Sequence, residues 1–97
     1  MKLNKNATSD TASFLYQTNW SGRAELGTTG DDSFHLKVSP DGSAWKNALV
    51  IDASSGLAVA YGNPTTGLGL ATKQYVDSAI AAINPQTFLQ ARSLIMI

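Results

Sequence analysis

The stretch that decides the fold is residues 20–52, WSGRAELGTTGDDSFHLKVSPDGSAWKNALVID. Polar and apolar residues alternate over positions 33–39, where Phe34, Leu36 and Val38 share one face and the intervening polar residues share the other. Successive side chains of a β-strand leave opposite faces of the pleat, so this alternation is typical of a half-buried strand.

Turn residues separate this strand from its neighbours. The sequence SPDGS at residues 39–43 predicts a turn, because proline presets the backbone and glycine supplies a positive φ. Alternation marks four further segments, at residues 13–20, 22–28, 45–51 and 57–61, and Ser21-Gly22 predicts the turn between the first two. We therefore predict an α+β chain that is mainly β, with a five-strand antiparallel meander or sandwich over residues 13–61 followed by a short C-terminal helix.

The helix is predicted over residues 72–84, after a glycine-rich connector at 62–71. Thr72 is a suitable N-cap, and branched apolar residues then recur at spacings of four and three, which is the seam of a heptad. β-Branched seam residues favour three or four strands over two, so we predict a parallel homotrimeric coiled coil. The predicted trimer interface consists of Val76, Ile80, Ile83, Lys73 and Ala79. Since fewer than two heptads are present, packing of the seam on the chain's own sheet is the alternative.

The two ends differ in character. Residues 1–12 are polar and predict a flexible N-terminal arm, either an attachment segment or a frayed terminus. Residues 85–97 form an apolar tail, which we expect to be buried on neighbouring subunits unless the natural chain continues past Ile97. A domain this small also gains stability from association, so we expect an oligomer.

Composition narrows the classes of function. The chain has seven basic and seven acidic side chains, 43% apolar residues and no cysteine. A neutral chain has no long-range field to attract nucleic acid or anionic lipid, and no apolar run approaches the length of a membrane span. We therefore predict no nucleic-acid partner, no membrane insertion and no cofactor.

Carboxylates and the single histidine are the candidates for chemistry. The acidic residues of the β region are Glu25, Asp31, Asp32, Asp41 and Asp52. Most of them flank glycine in predicted turns, which is ordinary turn usage, so we predict neither an enzyme nor a metal site. Calcium at Asp31 and Asp32 would need several convergent oxygens that no recognised loop supplies. We expect His35 to be a solvated or interface residue.

Aromatic side chains offer a different kind of site, because aromatic platforms on a small β module can stack on sugar rings. The candidate glycan contacts are Trp20, Trp45 and Tyr16. Trp20 falls on the predicted strand face of Phe14, and Trp45 on that of Leu49, so core packing of both indoles is the favoured interpretation.

Two motifs resemble those of tailed-bacteriophage tail fibre proteins. Residues 63–65 (NPT) and 71–77 (ATKQYVD) resemble the junction that leads, in those proteins, from a small domain into a trimeric helical or fibrous shaft. The block from residue 19 (NWSGRAELG) to residue 56 resembles a repeat-like module of phage fibre and related virion proteins. The motifs cover about half of the chain and occur in the expected order.

The resemblance implies a homotrimeric structural protein of a phage or phage-derived particle. It would be made in the bacterial host cytoplasm and located in the virion, in a tail fibre or associated with the tail or baseplate, with other virion proteins as partners. Because residues 66–70 depart from the usual polar junction and no long shaft follows the helix, we expect anchoring or adaptor work that supports host attachment. The alternative is a carbohydrate-binding module that recognises host surface glycans.

Overall fold

The computed structural model describes residues 1–83, which form five strands and one helix. The elements are β1 (Thr11–Thr18), β2 (Ser21–Thr29), β3 (Phe34–Val38), β4 (Lys46–Ile51), β5 (Ala58–Ala60) and α1 (Lys73–Ala81). Each strand pairs antiparallel with the next one in sequence, so the sheet order is β1-β2-β3-β4-β5. The chain is mainly β, which confirms the predicted five-strand antiparallel meander followed by a short helix. It divides after Gly62 into a sheet unit and a helix unit.

Register places the alternating apolar residues on one face of the sheet, which we name the open face. Phe14, Leu26, Leu36, Leu49 and Ala60 lie opposite one another in a single row across all five strands. The other members of the open face are Ala12, Tyr16, Ala24, Thr28, Phe34, Val38, Lys46, Ile51 and Ala58. The predicted alternation is therefore confirmed for β3, and for β1 and β2 up to a register shift after Tyr16 that leaves Arg23 as an extra residue of β2.

The opposite face, which we name the polar face, carries two further rows. One row contains Leu15, Glu25, Lys37 and Asn47, and the other contains Ser13, Gly27, His35, Val50 and Val59. Among residues 1–83, Val50 is the one apolar side chain that is buried. The sheet unit is thus a single layer whose small core lies on the polar face.

A β-bulge in β4 changes the predicted position of Trp45. Leu36 pairs with Leu49 whereas Lys37 pairs with Asn47, so Ala48 is an extra residue on the bulged strand. One extra residue reverses the alternation on its far side. The prediction that Trp45 shares a face with Leu49 is therefore wrong, and its ring instead lies under Lys37 on the polar face.

The β1–β2 hairpin also differs from its prediction. Its loop is formed by Asn19 and Trp20, whose φ angles of 48° and 64° are both left-handed. Two residues with positive φ are what a tight hairpin loop requires, because the twist of such a turn matches that of the strands. The prediction that Trp20 packs in the core is wrong, since its side chain is 88% exposed at the hairpin tip.

The helix begins where the sequence predicts. Thr72 is the N-cap, and its hydroxyl accepts a hydrogen bond of 3.0 Å from the backbone N–H of Tyr75. The helix ends at Ala81, so the predicted extension through Ala82 and Ile83 is wrong; residue 84 and the predicted tail at 85–97 lie outside the described residues. Within residues 1–83, no helix has the length and apolar character needed to cross a membrane.

The N-terminal segment contacts the loop between β2 and β3 through Lys5. Strand β1 begins at Thr11, two residues before the predicted boundary of the module. The Lys5 ammonium lies 3.2 Å from a carboxylate oxygen of Asp32 and donates a 2.8 Å hydrogen bond to the carbonyl of Thr8. The flexibility predicted for residues 1–12 stays a prediction.

Candidate interaction surfaces

The open face exposes its largest side chains. Phe14, Tyr16, Phe34, Val38 and Ile51 are each between 43% and 54% exposed. A groove of about 200 Å³ lies on the part of the face formed by β1, β2 and β3, and Leu3 of the N-terminal segment contributes to its lining together with Phe14 and Phe34. A sheet face whose large apolar side chains are about half exposed is typical of an interaction surface rather than of a surface that faces only solvent.

The second apolar surface is the helix seam, which we define as Val76, Ile80 and Ile83. These side chains are 43%, 59% and 54% exposed, and α1 has no buried residue. Of the other predicted interface residues, Ala79 is exposed, and the Lys73 ammonium lies 2.5 Å from the Asp77 carboxylate. Whether these five residues form a trimer interface stays a prediction, but the structure leaves the whole seam accessible.

His35 lies on the polar face, but its ring is buried. Its Nε2 atom lies 2.7 Å from Oδ1 of Asp31, and its Nδ1 atom lies 3.0 Å from Oδ1 of Asn47. The expectation of a solvated or interface histidine is therefore wrong, because both ring nitrogens have partners within the sheet unit. The hydrogen bond with His35 is the main cause that lowers the pKa of Asp31.

Further charged groups on the polar face form an internal network. The Ser13 hydroxyl donates a 2.7 Å hydrogen bond to Glu25, and the Lys37 ammonium lies 3.1 Å from the other oxygen of that carboxylate. The same ammonium lies 5.6 Å from the centre of the Trp45 ring, within the range of a cation–π contact. Burial alone would raise the pKa of Glu25, but Ser13 and Lys37 outweigh it and the pKa is lowered.

Two aspartates in the turns, Asp41 and Asp52, accept hydrogen bonds from backbone N–H groups. One carboxylate oxygen of Asp41 accepts hydrogen bonds from the N–H groups of Ala44 and Ser43, at 2.9 and 2.8 Å, and these bonds lower its pKa. Asp52 accepts from Ser55 and Ser54 in the same way, which lowers its pKa too. Within residues 1–83 no group of three or more His, Cys, Asp or Glu side chains is placed to hold a metal ion.

The three candidate glycan contacts do not share a surface. Tyr16 lies on the open face, Trp45 is partly covered on the polar face, and Trp20 stands at the hairpin tip. Trp45 lies so close to Gly22 that a Cβ atom at that glycine would be 2.8 Å from its Cζ2 atom. Trp20 is therefore the one indole within the described chain that presents most of its ring to solvent.

Comparisons of the chain with protein-family models, with curated proteins and with solved structures each found no match. The two exposed apolar surfaces and the motif resemblance are therefore what support a function.

Proposed function

We propose that the chain is a homotrimeric structural component of a phage or phage-derived particle, either a tail fibre segment or a fibre-anchoring adaptor. The observation that carries this proposal is the helix seam of Val76, Ile80 and Ile83, which is about half exposed and begins within the ATKQYVD motif. Its partners are two further copies of itself and other virion, tail or baseplate proteins. It acts mechanically, by holding the particle together and supporting host attachment.

The length of the helix supports association through the seam. Helix α1 has nine residues, and isolated helices shorter than about 12–15 residues are marginal in water. Such a helix is stabilised by packing of its apolar face, and this one has no buried residue of its own. In heptad terms Val76 occupies a d position and Ile80 an a position, and Ile83, two residues beyond the end of α1, falls at the next d position of the pattern, so three parallel copies would bury all of them together.

A charge on the seam should separate the copies. We expect the chain to sediment as a trimer, near three times its 10.2 kDa mass, and the double variant Ile80→Asp, Ile83→Asp to sediment as a monomer. The matched control is Gln74→Asp with Ser78→Asp, which adds the same charges at positions b and f on the opposite side of the helix. The control should remain trimeric. A wild-type monomer, or a double variant that remains trimeric, would overturn the proposal.

A second candidate function, binding of host surface glycans, is favoured by one observation. Trp20 is 88% exposed and its backbone is held in a left-handed conformation that a tryptophan rarely adopts. If this indole stacks on a sugar ring, Trp20→Ala should weaken binding to host glycans by at least about tenfold in calorimetry. Tyr61→Ala, which removes another exposed aromatic ring, is the control and should leave binding unchanged.

A further inference from the structure

Within residues 1–83, the open face is an apolar surface of the sheet whose largest side chains stay about half exposed, with Leu3 of the N-terminal segment beside Phe14 and Phe34. On the polar face, Glu25 pairs with Lys37 and His35 bonds to Asp31, so the charged groups there are already satisfied. On the open face, by contrast, two phenylalanines, a tyrosine and several branched residues are about half exposed. A sheet with so few buried side chains needs a cover on its apolar face to be stable.

We propose that the open faces of the other copies are this cover, so that the three sheets pack with their apolar faces against one another. This inference rests on the proposed homotrimer and adds a second interface to it, formed by the sheet unit. The helix seam and the open face are then two separate contacts between the same copies.

Charge favours a copy of the chain over a partner of different chemistry. Lys46, at the edge of the open face, is its one charged member, so two such faces meet without extensive like-charge repulsion. Apart from Lys46 at its edge, the face offers no charged group with which an acidic or basic partner could pair. A copy is also present whenever the chain is made, which suits a surface that needs permanent cover.

The shape of the patch fits the same occupant. The row from Phe14 to Ala60 crosses all five strands, and it is flanked on each side by a further row that is mainly apolar apart from Lys46 and Thr28. Side chains from two such faces interdigitate when sheets pack face to face. The groove beside Phe14 and Phe34 supplies a recess for a side chain of the facing copy.

Single cysteines test this proposal, because the chain contains none of its own. Val38 lies on the open face and Val59 on the polar face, and their exposed fractions are nearly equal at 47% and 46%. Val38→Cys and Val59→Cys are therefore matched probes, and cysteine is a small hydrophobe that either site should accept. In the full-length chain, we expect a thiol reagent to alkylate Val38→Cys at least about tenfold more slowly than Val59→Cys.

The mass measured on the same samples separates this inference from the proposed function. A trimer in which both cysteines react equally fast would overturn the open-face interface and leave the helix-mediated trimer standing. A monomer would overturn both, and if its Val38→Cys were still protected, another part of the same chain would be the cover. A variant pair adds an energetic test, since Val38→Glu should shift the trimer–monomer equilibrium toward monomer and Val59→Glu should leave it unchanged.

Discussion

Gly27 stands where β1 and β2 leave no room for a side chain. Its φ angle is 147°, and a Cβ atom there would lie 2.3 Å from the carbonyl oxygen of Ala12 and 2.6 Å from the Cα atom of Ser13. Both neighbours are backbone atoms, so they can give way only if the two strands separate. At the scale of one residue, the pairing of β1 with β2 therefore depends on this glycine.

We expect Gly27→Ala to lower the free energy of unfolding by about 2–4 kcal/mol, as measured by chemical denaturation. Gly62→Ala is the control, because a Cβ atom at Gly62 would meet nothing within 4 Å. Equal stability of the two variants would show that β1 and β2 are not held together at this point.

The predicted position of the β1–β2 turn is wrong because Gly22 serves packing and not the turn. Ser21 and Gly22 look like turn residues, so the turn was predicted there, whereas the loop is formed by Asn19 and Trp20. Gly22 lies in β2, where its missing side chain makes room for the Trp45 ring. A glycine used for packing and a glycine used for a turn are indistinguishable in a single sequence.

At the scale of elements, strands and helix were predictable because their signals are local. Alternation identified all five strands, and Thr72 identified the start of α1. The bulge at Ala48 was not predictable, because it arises from the pairing of β4 with β3 rather than from the composition of β4. A single unrecognised bulge was enough to place Trp45 on the wrong face.

The candidate surfaces were predictable to the same extent. The position of the seam follows from spacing alone, whereas its exposure does not, because the same spacing also allowed packing on the chain's own sheet. The surroundings of His35 do not follow from spacing, since Asp31 comes from a turn and Asn47 from the neighbouring strand. Sequence reasoning therefore identified surfaces formed by one element and missed the contacts formed between elements.

At the scale of the whole molecule, four carboxylates make the free energy of unfolding depend on pH. The pKa values of Asp31, Asp41, Asp52 and Glu25 are all lowered in the folded chain. A group with a lowered folded pKa stabilises the fold fully above its unfolded value, which is about 4 for these residues. That contribution is lost as the pH falls through the folded values.

We therefore expect the thermal midpoint to be steady above about pH 5 and to fall steadily below pH 4. The variant Asp41→Asn keeps an oxygen that can accept from Ser43 and Ala44 but cannot titrate, so its midpoint should fall less steeply with acid. An unchanged dependence in this variant would show that the charge of Asp41 contributes nothing to the fold.

The unlike surroundings of the two indoles give the chain two optical reporters, Trp20 at the tip of the β1–β2 hairpin and Trp45 on the polar face beside Gly22. The Trp20 indole fluoresces in contact with water, whereas the Trp45 indole fluoresces in a partly covered site between the Lys37 ammonium group and Gly22. A ligand that binds at the hairpin tip would shift the long-wavelength emission, which comes from Trp20. Unfolding of the polar face would shift the shorter-wavelength emission, which comes from Trp45. Binding and unfolding can thus be followed separately in the natural sequence, without any attached dye.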